Sequence, residues 1–177
     1  MDSVISQATP SDAEALGKVK IQAWKETYSG FVNRDFLASL TVEDQANRFL
    51  AVMENEKNCV FAAWHNGEIV GYAIVGPNQS DAPESIGELQ AIYLLHQAQG
   101  LGLGKKLVAR SIHWLIEKGY ESAHVWCFAQ NINAAKFYQY LGGERINEST
   151  FSLGGDDHPD ECYLWPDLPA LLRKTQE

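Results

Sequence analysis

A chain of 177 residues with 45% hydrophobic side chains can bury one real core, and 21% charged residues exclude the highly charged, core-poor composition of a disordered protein. A formal net charge of −9 without clustered Lys and Arg excludes a general nucleic-acid binder, which must neutralise phosphates. The start lacks the basic-then-apolar pattern of a secretion signal and no run reaches the ~18 apolar residues of a membrane span, so the expectation is one cytoplasmic domain over residues 1–177 with no membrane partner.

In chain order, Ser3 to Ala8 alternates like a strand. Ser11 and Glu14 have capping-box spacing ahead of Leu16, Val19, Ala23 and Trp24 at helical period. Thr41 suits the N-cap of a second helix carrying Ala46, Phe49, Leu50 and Met53. Cys59 to Trp64 and Ile69 to Val75 are apolar runs joined by His65-Asn66-Gly67-Glu68, the clearest hairpin signal in the sequence. A polar loop, Gly76 to Ser85, leads to a strand from Gly87 to Leu95, then a glycine-rich turn, then a helix carrying Leu103, Leu107, Val108, Ile112, Leu115 and Ile116 that Gly119 can end. Ala123 to Phe128 reads as a strand, Asn131 to Leu141 as a helix, and Gly143 to Leu153 and Glu161 to Trp165 as strands around an Asp-, Gly- and His-rich turn. This order predicts an α/β (α+β) fold with a mixed sheet flanked by helices.

Cys59, Cys127 and Cys162 are odd in number and far apart, which suggests neither a disulfide framework nor a zinc site. The five histidines form no His-x-x-x-His pair, so no metal is expected. The Gln99-Gly100-Leu101-Gly102-Leu103-Gly104-Lys105-Lys106 turn opens a helix, where free N–H groups and the helix dipole favour an anion such as pyrophosphate. A P-loop would need Gly at 99 and Ser or Thr at 106, and a dinucleotide fingerprint would follow the strand directly, whereas residues 95–98 intervene here. The glycines serve either an anion or merely a tight turn.

Asn131-x-x-Ala134-x-x-Phe137-Tyr138-x-x-x-Gly142 follows the next strand. Gln-x-x-Gly-x-Gly and this second motif, in order and separated by one helix, resemble the GNAT superfamily of N-acetyltransferases over Gly87 to Gly142. Gly143 departs from it, standing where many members have an aromatic. The resemblance implies a central sheet splayed where two strands part, with acetyl-coenzyme A as co-substrate and its pantetheine arm in the gap. It gives cofactor contacts to Ile92, Leu94, Gln99, Gly100, Leu101, Gly102, Leu103, Gly104, Lys105, Asn131 and Tyr138, and acceptor contacts to Trp24, Tyr28 and Glu88. A homodimer is plausible by the same analogy.

The implied reaction is acetyl transfer to the primary amine of a small molecule (polyamine or amino-acid-like) or a peptide. An alkylamine is mostly protonated at neutral pH, so its proton needs a carboxylate, for which Glu88 is the candidate; the alternative for Glu88 is a structural ion pair. The Leu94 N–H is the implied donor to the developing oxyanion. Tyr138 is the candidate acid for the leaving thiolate, its plain alternative being a core aromatic. Asn131 serves as cofactor ligand, as helix N-cap, or as both. The acidic stretch Asp156 to Asp160 reads as a solvated loop. The rival classes are a non-catalytic acyl-coenzyme A binding module and a nucleotide-binding module, the latter disfavoured by the mismatches above.

Overall fold

The computed structural model describes residues 2–177. Its strands are β1 (Ser3–Gln7), β2 (Cys59–His65), β3 (Glu68–Pro77), β4 (Ile86–Leu94), β5 (Ser122–Phe128), β6 (Glu144–Leu153) and β7 (Asp156–Trp165). The helices are α1 (Ala13–Tyr28), α2 (Arg34–Ser39), α3 (Val42–Glu54), α4 (Leu103–Glu117), α5 (Ile132–Tyr140) and α6 (Leu168–Lys174). One mixed sheet runs β1-β2-β3-β4-β5-β7-β6, as the expected fold class requires. Among the described residues only the β4–β5 pair is parallel, and α4 makes its crossover.

The core lies on both faces of the sheet, which is why β2 is apolar throughout rather than alternating. Cys59, Phe61 and Ala63 pack with Leu107, Ile112 and Leu115 of α4 on one face. Val60 and Ala62 pack with Leu16, Val19 and Ala23 of α1 and Phe49 of α3 on the other. Asn66 (φ 52°) and Gly67 (φ 84°) both take the left-handed conformation that a tight two-residue hairpin demands, so the Asn-Gly signal is realised.

The feature that positions the site is the early end of the β4–β5 pairing. It covers only Ile86↔Ser122, Gly87↔Ala123 and Glu88↔His124. Beyond that point β4 pairs with β3 alone and β5 with β7 alone. The β3–β4 register steps from Ile74↔Ala91 to Val75↔Leu89, which leaves Gln90 unopposed as a bulge. Its amide donates instead to Pro77 O at 3.0 Å and Asn58 Oδ1 at 3.2 Å. A bulge bends its strand, and this one bends β4 just where it leaves β5.

Four local expectations change. The box at the first helix is Thr9 with Asp12, not Ser11 with Glu14: Thr9 N–H donates to Asp12 Oδ2 at 2.8 Å and Pro10 opens a 3-10 turn that contains Ser11. Glu14 pairs with Lys18 on the surface. The short helix α2 was not anticipated; Asn33 caps it by accepting from the N–H groups of Asp35 and Phe36. The stretch Asp156 to Asp160 is not a loop but the first half of β7, because Gly154 (φ 65°) and Gly155 (φ 86°) make the turn in two residues. The terminal α6, also unanticipated, is capped by Asp167 and buries Leu168 and Leu171.

Candidate active site

A cleft of about 980 Å³ opens where β4 and β5 part. One side is β4 itself, through Ile92, Tyr93 and Leu94. Leu95 N–H donates to Val70 O at 2.9 Å, and Leu94 stands opposite Gly71 and Ile92 opposite Ala73. Ladder hydrogen bonds alternate along an antiparallel pair, so the N–H groups of Ile92 and Leu94 turn away from β3, toward the edge that β5 has vacated. The splay thus leaves backbone donors along the gap without a strand partner.

The glycine turn forms the mouth. Gly100 (φ 77°) and Gly102 (φ 74°) are left-handed, and a Cβ at either would meet nothing within 4 Å, so it is backbone conformation rather than crowding that calls for glycine. Gly102 is the N-cap of α4, and the first helical donation is Lys106 N–H to Gly102 O at 3.2 Å. The N–H groups of residues 102–105 find no acceptor among the described residues, which leaves a helix start primed for an anion. Gln99, Gly100, Gly102, Gly104 and Lys105 line the cleft. Leu101 points to solvent and Leu103 is fully buried, packed in a cluster with Val70 and Ala98, so neither lines it. Lys105 Nζ donates to Tyr140 Oη at 3.0 Å.

The opposite wall is α5. Asn131 lines the cleft and caps this helix at once, accepting from Ala134 N–H at 3.3 Å. Tyr138 lines the cleft from a buried position, its ring edge-to-face on Trp165 at 5.8 Å. A phenol is protonated at neutral pH at its ordinary value of 10.0, and burial pushes this one well above it, with Cys127 and Tyr93 adding to the shift. Phe137, read in the sequence as packing, also lines the cleft.

On the other sheet face, Tyr93 enters the cleft with its hydroxyl 2.5 Å from that of Tyr28. Burial raises Tyr93 to about 12 and Tyr28 well above its ordinary value. Tyr28 and Trp24 do not themselves line the cleft; their rings pack edge-to-face at 5.6 Å, and Tyr28 packs on Phe31 and Phe128. Glu26 and Thr27 of α1 do reach it, and Glu26 is the one carboxylate on its lining. Glu88 lies at the vertex of the splay, 5% exposed and away from the lining. Its Oε1 is 3.2 Å from His124 Nε2 and its Oε2 accepts from Gln79 N–H at 3.1 Å.

Sequence reasoning therefore named the turn, the β4 edge, Asn131 and Tyr138, and missed Glu26, Thr27, Tyr93 and His96 on one side and Gln130, Ile132, Asn133, Ala134 and Phe137 on the other. Tyr93 sits between two named strand positions and alternation puts it on the opposite face; nothing in the pattern marks Glu26.

Residues 22–142 match the family model described as the acetyltransferase (GNAT) family. The chain is 32% identical over 167 residues to the uncharacterized N-acetyltransferase YuaI of Bacillus subtilis (strain 168), covering 94% of this chain and 95% of that protein. Among solved structures it resembles PaiA N-acetyltransferase from Thermoplasma acidophilum in complex with coenzyme A, with a TM-score of 0.71 and 20% identity over 90% of this chain and 98% of that one. It also resembles YncA of Salmonella typhimurium with acetyl-CoA, with a TM-score of 0.73 and 20% identity over 95% of each chain. At these identities the structural likeness speaks for the fold.

Proposed function

This chain belongs to the GNAT family of acetyltransferases, and from that premise we propose that it moves an acetyl group from acetyl-coenzyme A to a primary amine of a small molecule or peptide. The observation that carries this reading is the meeting, in one cleft, of an uncapped helix start, an unpaired strand edge and a protonated phenol. Coenzyme A in the PaiA complex and acetyl-CoA in the YncA complex support the same ligand here.

The co-substrate supplies an activated thioester carbonyl. Gly100, Gly102 and Gly104 bring backbone N–H groups and the α4 dipole to its pyrophosphate, and no Cβ stands between them and an anion. The gap-facing N–H groups of Ile92 and Leu94 replace a strand partner for the pantetheine amides, and the Leu94 N–H serves the developing oxyanion. Tyr138 holds its proton at neutral pH and gives it to the leaving sulfur. Glu88, with both oxygens engaged, takes the amine's proton only through water or through His124.

Free-thiol release from acetyl-coenzyme A across a panel of polyamines, amino acids, aminoglycosides and lysine peptides tests the reading. Acceptor-dependent release identifies the amine class. Tight coenzyme A binding with no release above the acceptor-free background for any amine would favour a non-catalytic acyl-coenzyme A binding module instead.

A further inference from the structure

The segment between β4 and the glycine turn is short, and most of its backbone is held by neighbours in the chain or by β3. Leu95 N–H donates to Val70 O, Ala98 N–H to Leu95 O at 2.9 Å and Gln99 N–H to His96 O at 3.1 Å. The Gln99 amide reaches back to Leu94 O at 3.4 Å. His96 N–H is the exception: it donates to a side chain from a distant helix, Glu26 Oε2, at 2.8 Å. The other oxygen, Oε1, accepts from Gln22 Nε2 at 2.9 Å one turn earlier in α1, an exposed pair that favours this orientation of the Glu26 carboxylate.

Glu26 thus closes a bridge across the cleft that it lines. On one end is α1, which carries Trp24 and Tyr28 behind Tyr93; on the other is the first residue of the 3-10 turn, His96–Ala98, that delivers Gln99 and Gly100. We propose that Glu26 is a positioning residue for the donor site: by holding His96 N–H it sets the glycine turn at the distance from the Leu94 edge that the pyrophosphate and pantetheine of one molecule require. The inference rests on the acetyl-coenzyme A reading above. An anionic ligand would not be drawn to a carboxylate in its own cleft, so the value of Glu26 is as a hydrogen-bond acceptor with both oxygens already engaged. Its charge is dispensable.

Acceptance without charge is what a glutamine retains. The test is calorimetric coenzyme A binding and steady-state kinetics on wild type, Glu26→Gln and Glu26→Ala, with melting temperatures alongside. Loss of this hydrogen-bond acceptor predicts that Glu26→Ala weakens coenzyme A by up to about tenfold. The KM for acetyl-coenzyme A rises in parallel, kcat falls less, and Glu26→Gln recovers most of the loss with melting unchanged. Unaltered coenzyme A affinity in Glu26→Ala would overturn the proposal. So would a Glu26→Gln variant as impaired as Glu26→Ala with only the amine KM raised, which would make Glu26 an ammonium-binding carboxylate instead. Absence of coenzyme A binding in the wild type would sink the donor reading itself, a different outcome from either.

Discussion

At the scale of single residues, Tyr138 and Glu88 came out of the sequence as a pair of candidates and separate in the structure. Tyr138 lines the cleft with a phenol that is protonated at neutral pH and that burial raises further above its ordinary value. Replacing it with Phe removes the hydroxyl and keeps the ring on Trp165, so kcat should fall by about a hundredfold while coenzyme A binding is unchanged; stopped-flow or steady-state thiol release with calorimetry checks both. An unchanged kcat would take the acid role away from Tyr138. Glu88 instead serves the buried His124 ring and the N–H of the exposed Gln79 at the vertex of the splay. Glu88→Ala leaves the buried His124 ring without its acceptor, while water can reach the exposed Gln79 N–H, a cost of about 1–3 kcal/mol, or roughly 2–12 °C in melting temperature for a chain of this size. A thermal scan showing no shift would mean that water replaces the carboxylate there at no cost.

At the scale of elements, the β4 strand is where donor, acceptor and catalytic groups are set relative to one another. Gly71 of β3 lies against its outer end: a Cβ there would fall on Leu94 Cδ2 and stand 2.6 Å from Tyr93 O. Gly71→Ala should therefore push the Leu94 edge into the gap, lowering both the melting temperature and the affinity for coenzyme A. Calorimetry that finds the affinity intact would show that β4 yields at no cost. The same strand shows what a sequence can and cannot tell. The run of β4, the turn and α5 were legible because glycine, amide and aromatic residues recur there at a spacing with a mechanism. That β4 would leave β5 at Glu88 was implied by resemblance alone, since the physical cause is a bulge at Gln90, and a bulge is one unopposed residue that disturbs no local periodicity. Helices α2 and α6, at 6 and 7 residues, are too short for a helical period to stand out, and only their caps, Asn33 and Asp167, could have announced them. The acidic stretch of β7 misled for a related reason: its outward charges belong to an edge hairpin whose partner β6 is exposed along nearly its whole length.

At the scale of the whole molecule, phenols and thiols are buried in the core on the faces of the sheet. Burial lifts Cys127 and Cys162 to about 12, Cys59 to about 11, Tyr93 to about 12, and Tyr28, Tyr72 and Tyr138 well above the phenol's ordinary range. Groups whose proton affinity is raised by folding contribute stability that is present in full below their unfolded values and is lost as pH climbs toward the folded ones. The window opens at 9.0 for the thiols and 10.0 for the phenols. Burial lowers Lys20 to about 8, which works the other way and adds stability as pH rises from 8 to 10.5. Chemical denaturation midpoints measured from pH 7 to 11 should therefore decline only once the thiols and phenols outweigh it, above about pH 10. A flat profile to pH 11 would mean that these side chains are hydrated in the folded protein.

The measurement that bears most directly on the account is amide hydrogen exchange with and without coenzyme A. The splayed gap as the donor site predicts new protection at Ile92 and Leu94 and along residues 100–105, whose N–H groups have no partner among the described residues. Saturating ligand that leaves these amides exchanging as before, or protects a different surface, would contradict it.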